Sequence, residues 1–139
     1  TTLTEMAPEK RLTATRMRMA EREVVQMQVA QAEGLLRSGR AFLFETVQHV
    51  WREVLDNVTP SLERRAVLRL AATQAAMQAA QAIDLMYHAA GTSSIWAYNP
   101  LQRYFRDVHV VTQHAILSLP IYEMTGRVFL GQSVETAVL

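Results

Sequence analysis

Four histidines, His49, His88, His109 and His114, are the side chains in this 139-residue sequence best suited to acid–base or metal chemistry. His49 follows Glu45 by four residues and His88 follows Asp84 by four, a spacing that puts each pair on one helix face. Each pair offers only two ligands where a zinc site needs at least three, and no HExxH is present, so no metal site is expected. His109 and His114 are five apart, on different faces of a helix. There is no cysteine, which excludes disulfides, thiolate nucleophiles and Cys-based metal sites. No GxSxG, P-loop or GxGxxG occurs either. On residue type and spacing alone, each histidine reads as a polar or half-buried helix residue.

The densest collection of polar groups is the stretch Ala89-Ala90-Gly91-Thr92-Ser93-Ser94-Ile95-Trp96-Ala97-Tyr98-Asn99-Pro100. A glycine, three adjacent hydroxyls and two aromatics between two helices offer backbone N–H groups and hydroxyl donors, which a phosphate or a cofactor edge needs. The same residues also suit a plain connecting loop whose Ser and Thr side chains satisfy their own backbone.

The elements that position these residues are helical. Apolar residues recur at helical spacing from about Thr15 to Asp56, with stripes at Met17, Ala20, Val24 and Met27 and at Leu36, Leu43, Val47, Val50 and Val54. One long helix is expected there, with a break between Gly34 and Gly39 as the alternative, since an isolated glycine costs about 1 kcal/mol without having to end a helix. A second helix is expected to open with Thr59 as cap and Pro60 at its first position, and to run to Ala90 with Gly91 just past its end. Its alanine-rich middle lets neighbours approach closely on several sides, so it should be central. The third helix starts at Asn99-Pro100, with Gln102 placed to complete a capping box, and runs on past Ala115 until Pro120 kinks or ends it. A last helix, Ile121 to Leu130, stops at Gly131. No alternation of apolar and polar residues persists long enough for a strand. The fold class is all-α, an antiparallel up-and-down helix bundle.

Composition bounds the function further. The chain has one domain's worth of residues, 50% of them hydrophobic, and a net charge of +1. Its basic residues are almost all arginine and are scattered among acids, which gives no electrostatic case for nucleic acid. No apolar run approaches the roughly 20 residues that span a bilayer. The absence of cysteine is compatible with a reducing cytoplasm, where the protein is expected. The first residues lack both an initiating methionine and a signal-peptide core. Residues 1–14 are expected to be a flexible linker and residues 132–139 a loose tail, within a single helical domain that is the C-terminal piece of something longer. Three long helices with an alanine-rich centre leave apolar surface that another helix or another copy must cover.

Taken together, Ala90-Gly91-Thr92-Ser93-Ser94-Ile95, Asn99-Pro100-Leu101-Gln102-Arg103, Phe105-Arg106-Asp107-Val108-His109, Gln113-His114 and Gly126-Arg127 form one signature. It resembles the C-terminal helical domain of acyl-CoA-dehydrogenase-like flavoproteins. The similarity extends back through Ala20-Glu21-Arg22-Glu23-Val24-Val25-Gln26 and covers the chain from about Met17 to Gly131. The resemblance implies a four-helix bundle, here lacking its first helix, behind further domains. It also implies self-association as a homodimer or homotetramer.

In the dehydrogenases of that family a glutamate base lies about nine residues after the Arg of Arg-Asp. Counting from Arg106 leads to Ala115, flanked by His114 and Ile116, so the carboxylate is absent. A histidine at this place instead resembles the two-component monooxygenases. These take reduced FMN or FAD from a separate flavin reductase and hydroxylate aromatic or heteroaromatic small molecules. The resemblance puts His114 near the flavin ring, able to hydrogen-bond the activated oxygen or help deprotonate the substrate. It puts Gly91, Thr92, Ser93 and Ser94 against the flavin phosphate, and gives Arg106 and Asp107 the task of holding helix and loop in place. No flavin is expected on the isolated chain, whose site would be incomplete. The alternatives are a helical oligomerisation module with no direct part in chemistry, and a divergent acyl-CoA dehydrogenase with its base elsewhere.

Overall fold

A computed structural model of the chain describes residues 18–135. The expected linker over residues 1–14 and the last four residues of the expected tail lie outside that range. Four α-helices carry the described residues: α1 (Glu23–Leu55), α2 (Leu62–Ala90), α3 (Pro100–Thr112) and α4 (Pro120–Phe129), and no strand is present among them. The fold is all-α, as the apolar periodicity requires.

Helix α1 is continuous over 33 residues and passes through both Gly34 and Gly39. It starts at Glu23 rather than near Thr15. Arg22 is extended (φ −80°, ψ 122°), and a separate 3-10 turn, Met19–Glu21, precedes it. Side chains detach that turn from the helix: Glu21 Oε2 accepts from the Arg18 N–H at 3.0 Å, and Gln26 Nε2 donates to the Ala20 carbonyl at 2.9 Å. The bend tucks Met19 into a buried cluster with Val25, Ala89, Ala90 and Leu101. Burial of such a methionine contributes about 1.5–3 kcal/mol, and here it packs the base of the loop that follows α2.

The turn between α1 and α2 moves the expected cap by two residues. Asn57 adopts φ +56°, and the Val58 N–H reaches back to the Glu53 carbonyl at 2.8 Å, closing the end of α1. Thr59 and Pro60 then span the gap, and Ser61 is the N-cap of α2, its Oγ accepting from the Arg64 N–H at 3.1 Å. Arg64 also pairs with Glu53 at 2.9 Å, tying the two helix ends together.

Helix α2 is the central element. Helix α1 packs along one side of it, while α3 and α4 pack on others. Its buried residues are Ala66, Ala71, Thr73, Ala80, Ala82, Ala89 and Ala90, small side chains spread around the helix that let each neighbour come close. On α1 the buried positions Val25, Ala32, Gly39 and Thr46 recur every seventh residue and form the seam against α2.

Helix α3 begins as its sequence dictates: Asn99 is the N-cap, its Oδ1 accepting from the Leu101 N–H at 3.0 Å, and Pro100 is the first helical residue. Gln102 does not complete a capping box, because the Asn99 N–H is already taken by the Trp96 carbonyl at 2.9 Å. The helix ends at Thr112, well before Pro120. Thr112 Oγ1 donates to the His109 carbonyl at 2.8 Å, and His114 is extended (φ −69°, ψ 130°). Pro120 therefore opens α4 instead of ending α3. Helix α4 ends at Phe129, and two residues on, Gly131, with a φ of +68°, permits the Gln132 N–H to reach the Arg127 carbonyl at 2.9 Å. The start of the expected loose tail is also held, since Arg127 Nη2 donates to the Ser133 carbonyl at 2.6 Å.

The expected excess of apolar surface is present on α1. Leu36, Phe44, Val47, Trp51 and Val54 lie along one stripe and are all exposed, Trp51 to 62%. Among the described residues, no helix is long and apolar enough to cross a membrane.

Candidate functional site

The hydroxyl-rich loop is a 3-10 turn, Gly91–Ile95, and its four candidate residues have separate tasks. Gly91 adopts φ +59° and ψ −144°, a conformation that side-chain-bearing residues rarely take, and a Cβ there would meet nothing within 4 Å. Thr92 is exposed and Ser93 half-buried. Ser94 turns inward: it is 1% exposed, and its Oγ donates to the Gly91 carbonyl at 2.6 Å. Its hydroxyl thus braces the turn rather than offering itself to a ligand. Asn99, buried like Ser94, locks the loop to α3, because Nδ2 donates to the Ser93 carbonyl at 2.9 Å while Oδ1 caps the helix. Trp96 and Tyr98 stack beside the loop with centroids 6.4 Å apart, and both are exposed.

His114 lies in a different place. It is exposed and caps a third 3-10 turn, Ala115–Leu117, with Nδ1 accepting from the Ile116 N–H at 3.3 Å. An amide can only donate, so a neutral His114 carries its proton on Nε2, the nitrogen left to face a ligand. Helix α3 separates the two features. Its 13 residues put Gly91–Ser94 near one end and His114 beyond the other, about 20 Å apart at 1.5 Å per residue. The structure therefore does not bring the loop and the histidine to one small group. They suit two ends of an extended ligand, or two ligands.

The other histidines sort differently from their sequence pairs. Glu45 and His49 are both exposed on α1. His88 Nδ1 lies 2.7 Å from the Asp84 backbone carbonyl, not from its carboxylate. The Asp84 carboxylate instead reaches across to α3, where Oδ1 meets His109 Nε2 at 2.9 Å. His109 also packs on Phe105 (centroids 4.5 Å), which packs on Tyr87 of α2 (4.6 Å). Spacing along one helix could not reveal this pair. The pair is set by how α3 packs on α2. Asp107 pairs with Arg103 one turn back at 3.3 Å, and Arg106 is exposed, so the Arg-Asp pair does not reach the loop. No group of three potential metal ligands occurs among the described residues.

Two of the surface hollows lie near these side chains. A shallow groove of about 640 Å³ runs between α1 and α2 past Gly34, Leu35, Ser38, Asp84 and His88. A second, of about 350 Å³, lies beside the His114 turn, lined by Met77, Thr112, Gln113, Ser118, Leu119 and Pro120.

Residues 1–119 match the family described as acyl-CoA dehydrogenase, C-terminal domain. The chain is 36% identical over 82% of its length to indole-3-acetate monooxygenase of Pseudomonas putida, covering 29% of that protein. It is 31% identical over 91% of its length to indole-3-acetate monooxygenase of Acinetobacter baumannii, covering 33% of that protein. The chain thus spans about a third of the length of these relatives. Among solved structures, XiaF from a Streptomyces species, in complex with FADH2 and glycerol, superposes with a TM-score of 0.87 at 22% identity, over 94% of this chain and 34% of that one.

Proposed function

The chain belongs to the acyl-CoA dehydrogenase C-terminal domain family, and from that premise we propose that it is the flavin-facing helical domain of a monooxygenase acting on an aromatic or heteroaromatic ring. The observation that carries the reading is His114, exposed with a directed Nε2, followed by Ala115. Ala115 has no group that could take a proton next to a thioester. Both monooxygenase relatives act, by their names, on an indole acid, which makes indoles the first substrates to try.

The residues present fit a flavin nucleotide. The exposed Gly91, with nothing within 4 Å on its Cβ side, and the exposed Thr92 leave room for a phosphate beside the 3-10 turn, with Ser94 and Asn99 fixing the turn's shape from within. Reduced FMN or FAD, handed over by a separate reductase, supplies the electrons that activate dioxygen. Thr92 and Ser93 bind and orient the phosphate end. His114 Nε2 donates to the oxygen being transferred, or takes part in moving the proton of the substrate ring, where a correctly placed acid–base group contributes about 10²–10⁴-fold. Ile116 holds the ring of His114 through its Nδ1, so that Nε2 points at one place.

The test uses the full-length protein with reduced FMN or FAD, oxygen and a panel of indole and phenol acids. Ring hydroxylation is expected, with loss of product in His114→Ala and weakened flavin binding in Thr92→Ala. A wild-type protein that oxidises an acyl-CoA with an artificial acceptor and hydroxylates nothing would refute the reading.

The exposed stripe Phe44, Val47, Trp51 and Val54 favours a second role alongside the first, self-association. The isolated chain is expected to form a discrete oligomer that Trp51→Glu dissociates. If Thr92 and Ser93 substitutions leave flavin binding untouched while Trp51→Glu abolishes activity, assembly is the chain's whole contribution.

A further inference from the structure

The His114 turn is shaped by its own backbone but placed by something else. The Leu117 N–H donates to the His114 carbonyl at 2.8 Å, and Ser118 Oγ donates to the Ala115 carbonyl at 2.9 Å. These bonds fix the turn's internal form and say nothing about where it sits. The turn rests on α2, while the hollow of about 350 Å³ opens beside it, between Thr112–Gln113 and Ser118–Pro120, and leaves its flanks loosely packed.

Two polar contacts, one on each side, fasten the segment to the same helix. Upstream, one turn before α3 ends, His109 Nε2 meets Asp84 Oδ1 at 2.9 Å. Downstream, in the first turn of α4, the Tyr122 hydroxyl donates to Gln74 Oε1 at 2.7 Å. Asp84 and Gln74 both belong to α2. The upstream contact is stiffened by Phe105, wedged between His109 and Tyr87. With Asp84 accepting at Nε2, the neutral imidazole of His109 has its tautomer set, and its position is tied to α2 rather than to α3 alone.

We propose that Asp84, acting through His109, and Gln74, acting through Tyr122, are positioning residues that hold the His114 turn against α2 at the place where His114 meets its ligand. The proposal rests on the monooxygenase reading for its functional consequence, though not for its geometry. Neither residue touches substrate or flavin. A displacement of about 1 Å at a reacting group can cost about 10²-fold in rate. A slackened clamp should therefore waste reduced flavin without weakening its binding.

In the full-length protein, product formed per reduced flavin oxidised is measured for Asp84→Ala, Asp84→Asn, Tyr122→Phe and the double variant Asp84→Ala/Tyr122→Phe. The expected result is a yield about tenfold lower in Asp84→Ala with flavin affinity unchanged. Asp84→Asn should recover most of it, because its Oδ1 still accepts from Nε2–H. Tyr122→Phe should lower the yield, and the double variant more than either single one. In parallel, nuclear Overhauser contacts between the Ala115–Leu117 turn and α2 should weaken in Asp84→Ala and not in Asp84→Asn, which reads the turn's placement without any activity. Unchanged yield and unchanged contacts in Asp84→Ala overturn the proposal, as does an Asn variant no better than Ala. A wild-type protein with no hydroxylating activity, but with the expected contact pattern, refutes the monooxygenase reading and leaves the clamp standing.

Discussion

Gly39 meets Ala75 so closely that a Cβ built on the glycine would stand 3.2 Å from the Ala75 Cα and 2.6 Å from Gln78 Oε1. At this glycine α1 and α2 pass too closely to leave room for a side chain, and the alanine across from it is the smallest residue that still favours a helix. Gly34, five residues earlier on the same helix, has nothing within 4 Å of its Cβ direction. The two glycines should therefore respond in opposite ways. Gly34→Ala should stabilise the chain by about 0.5–1 kcal/mol through helix propensity alone. Gly39→Val should destabilise it by about 1–3 kcal/mol, since the backbone of Ala75 cannot move aside as the Gln78 side chain can. Thermal unfolding of the two variants decides the matter. Equal effects would mean that the seam is looser than its geometry implies.

The same pair shows what the sequence could and could not say. Helical periodicity made one long α1 legible, but it gave no reason for Gly39, which only the approach of Ala75 explains. Local chemistry was legible wherever one residue suffices: Asn99-Pro100 opening α3, and Gly91 and Gly131 taking positive φ at helix ends. It failed where competing local signals exist. Ser61 outcompeted Thr59 as a cap because the Asn57–Val58 turn set the spacing. Ala115 continued the apolar pattern past Thr112, where the backbone leaves the helix. The site shows the same division. The loop stood out by residue type and His114 only through the family resemblance, while the inward turn of Ser94 and the choice of His109 as Asp84's partner depend on tertiary packing.

Asn99 serves two masters, and substitutions can separate them. Asn99→Ala removes both the cap on Leu101 and the tether to the Ser93 carbonyl, and should cost about 1–2 kcal/mol or slightly more. Asn99→Ser retains a capping oxygen and loses the donor that reaches Ser93, so it should recover about half of that loss. If Ser is as damaging as Ala, the tether carries the whole effect. Flavin binding by the full-length protein should follow the tether, because that bond shapes the 3-10 turn.

Burial raises the Tyr122 phenol above its ordinary value of 10.0. The folded state then keeps its proton when the unfolded chain has begun to lose it, so above pH 10 the unfolded state binds fewer protons. Stability from this group is fully present below pH 10 and falls as pH rises through the folded-state value. Tyr122→Phe removes that alkaline dependence and also the bond to Gln74, at a cost of about 0.5–1.5 kcal/mol at neutral pH. Urea unfolding at pH 7 and pH 10.5 should show the wild-type advantage shrinking at the higher value. A constant gap between the two proteins would mean that Tyr122 titrates normally.

The bond from the Ile116 amide to His114 Nδ1 makes the two ring nitrogens unequal, and amide side chains can tell them apart. In Gln the terminal amide group lies near the place of Nε2, and in Asn near that of Nδ1. If the chemistry uses a proton donated from Nε2, His114→Gln retains a donor at the working position, while His114→Asn retains only the partner of Ile116. His114→Gln should therefore keep measurable hydroxylation in the full-length protein, with His114→Asn and His114→Ala about 10²-fold or more below wild type. If His114 must accept a proton, neither amide replaces it and all three variants fall together. Nitrogen NMR of the wild-type imidazole checks the premise directly, since a neutral ring protonated on Nδ1 would contradict the contact with Ile116 and leave the ranking of Gln over Asn without a cause.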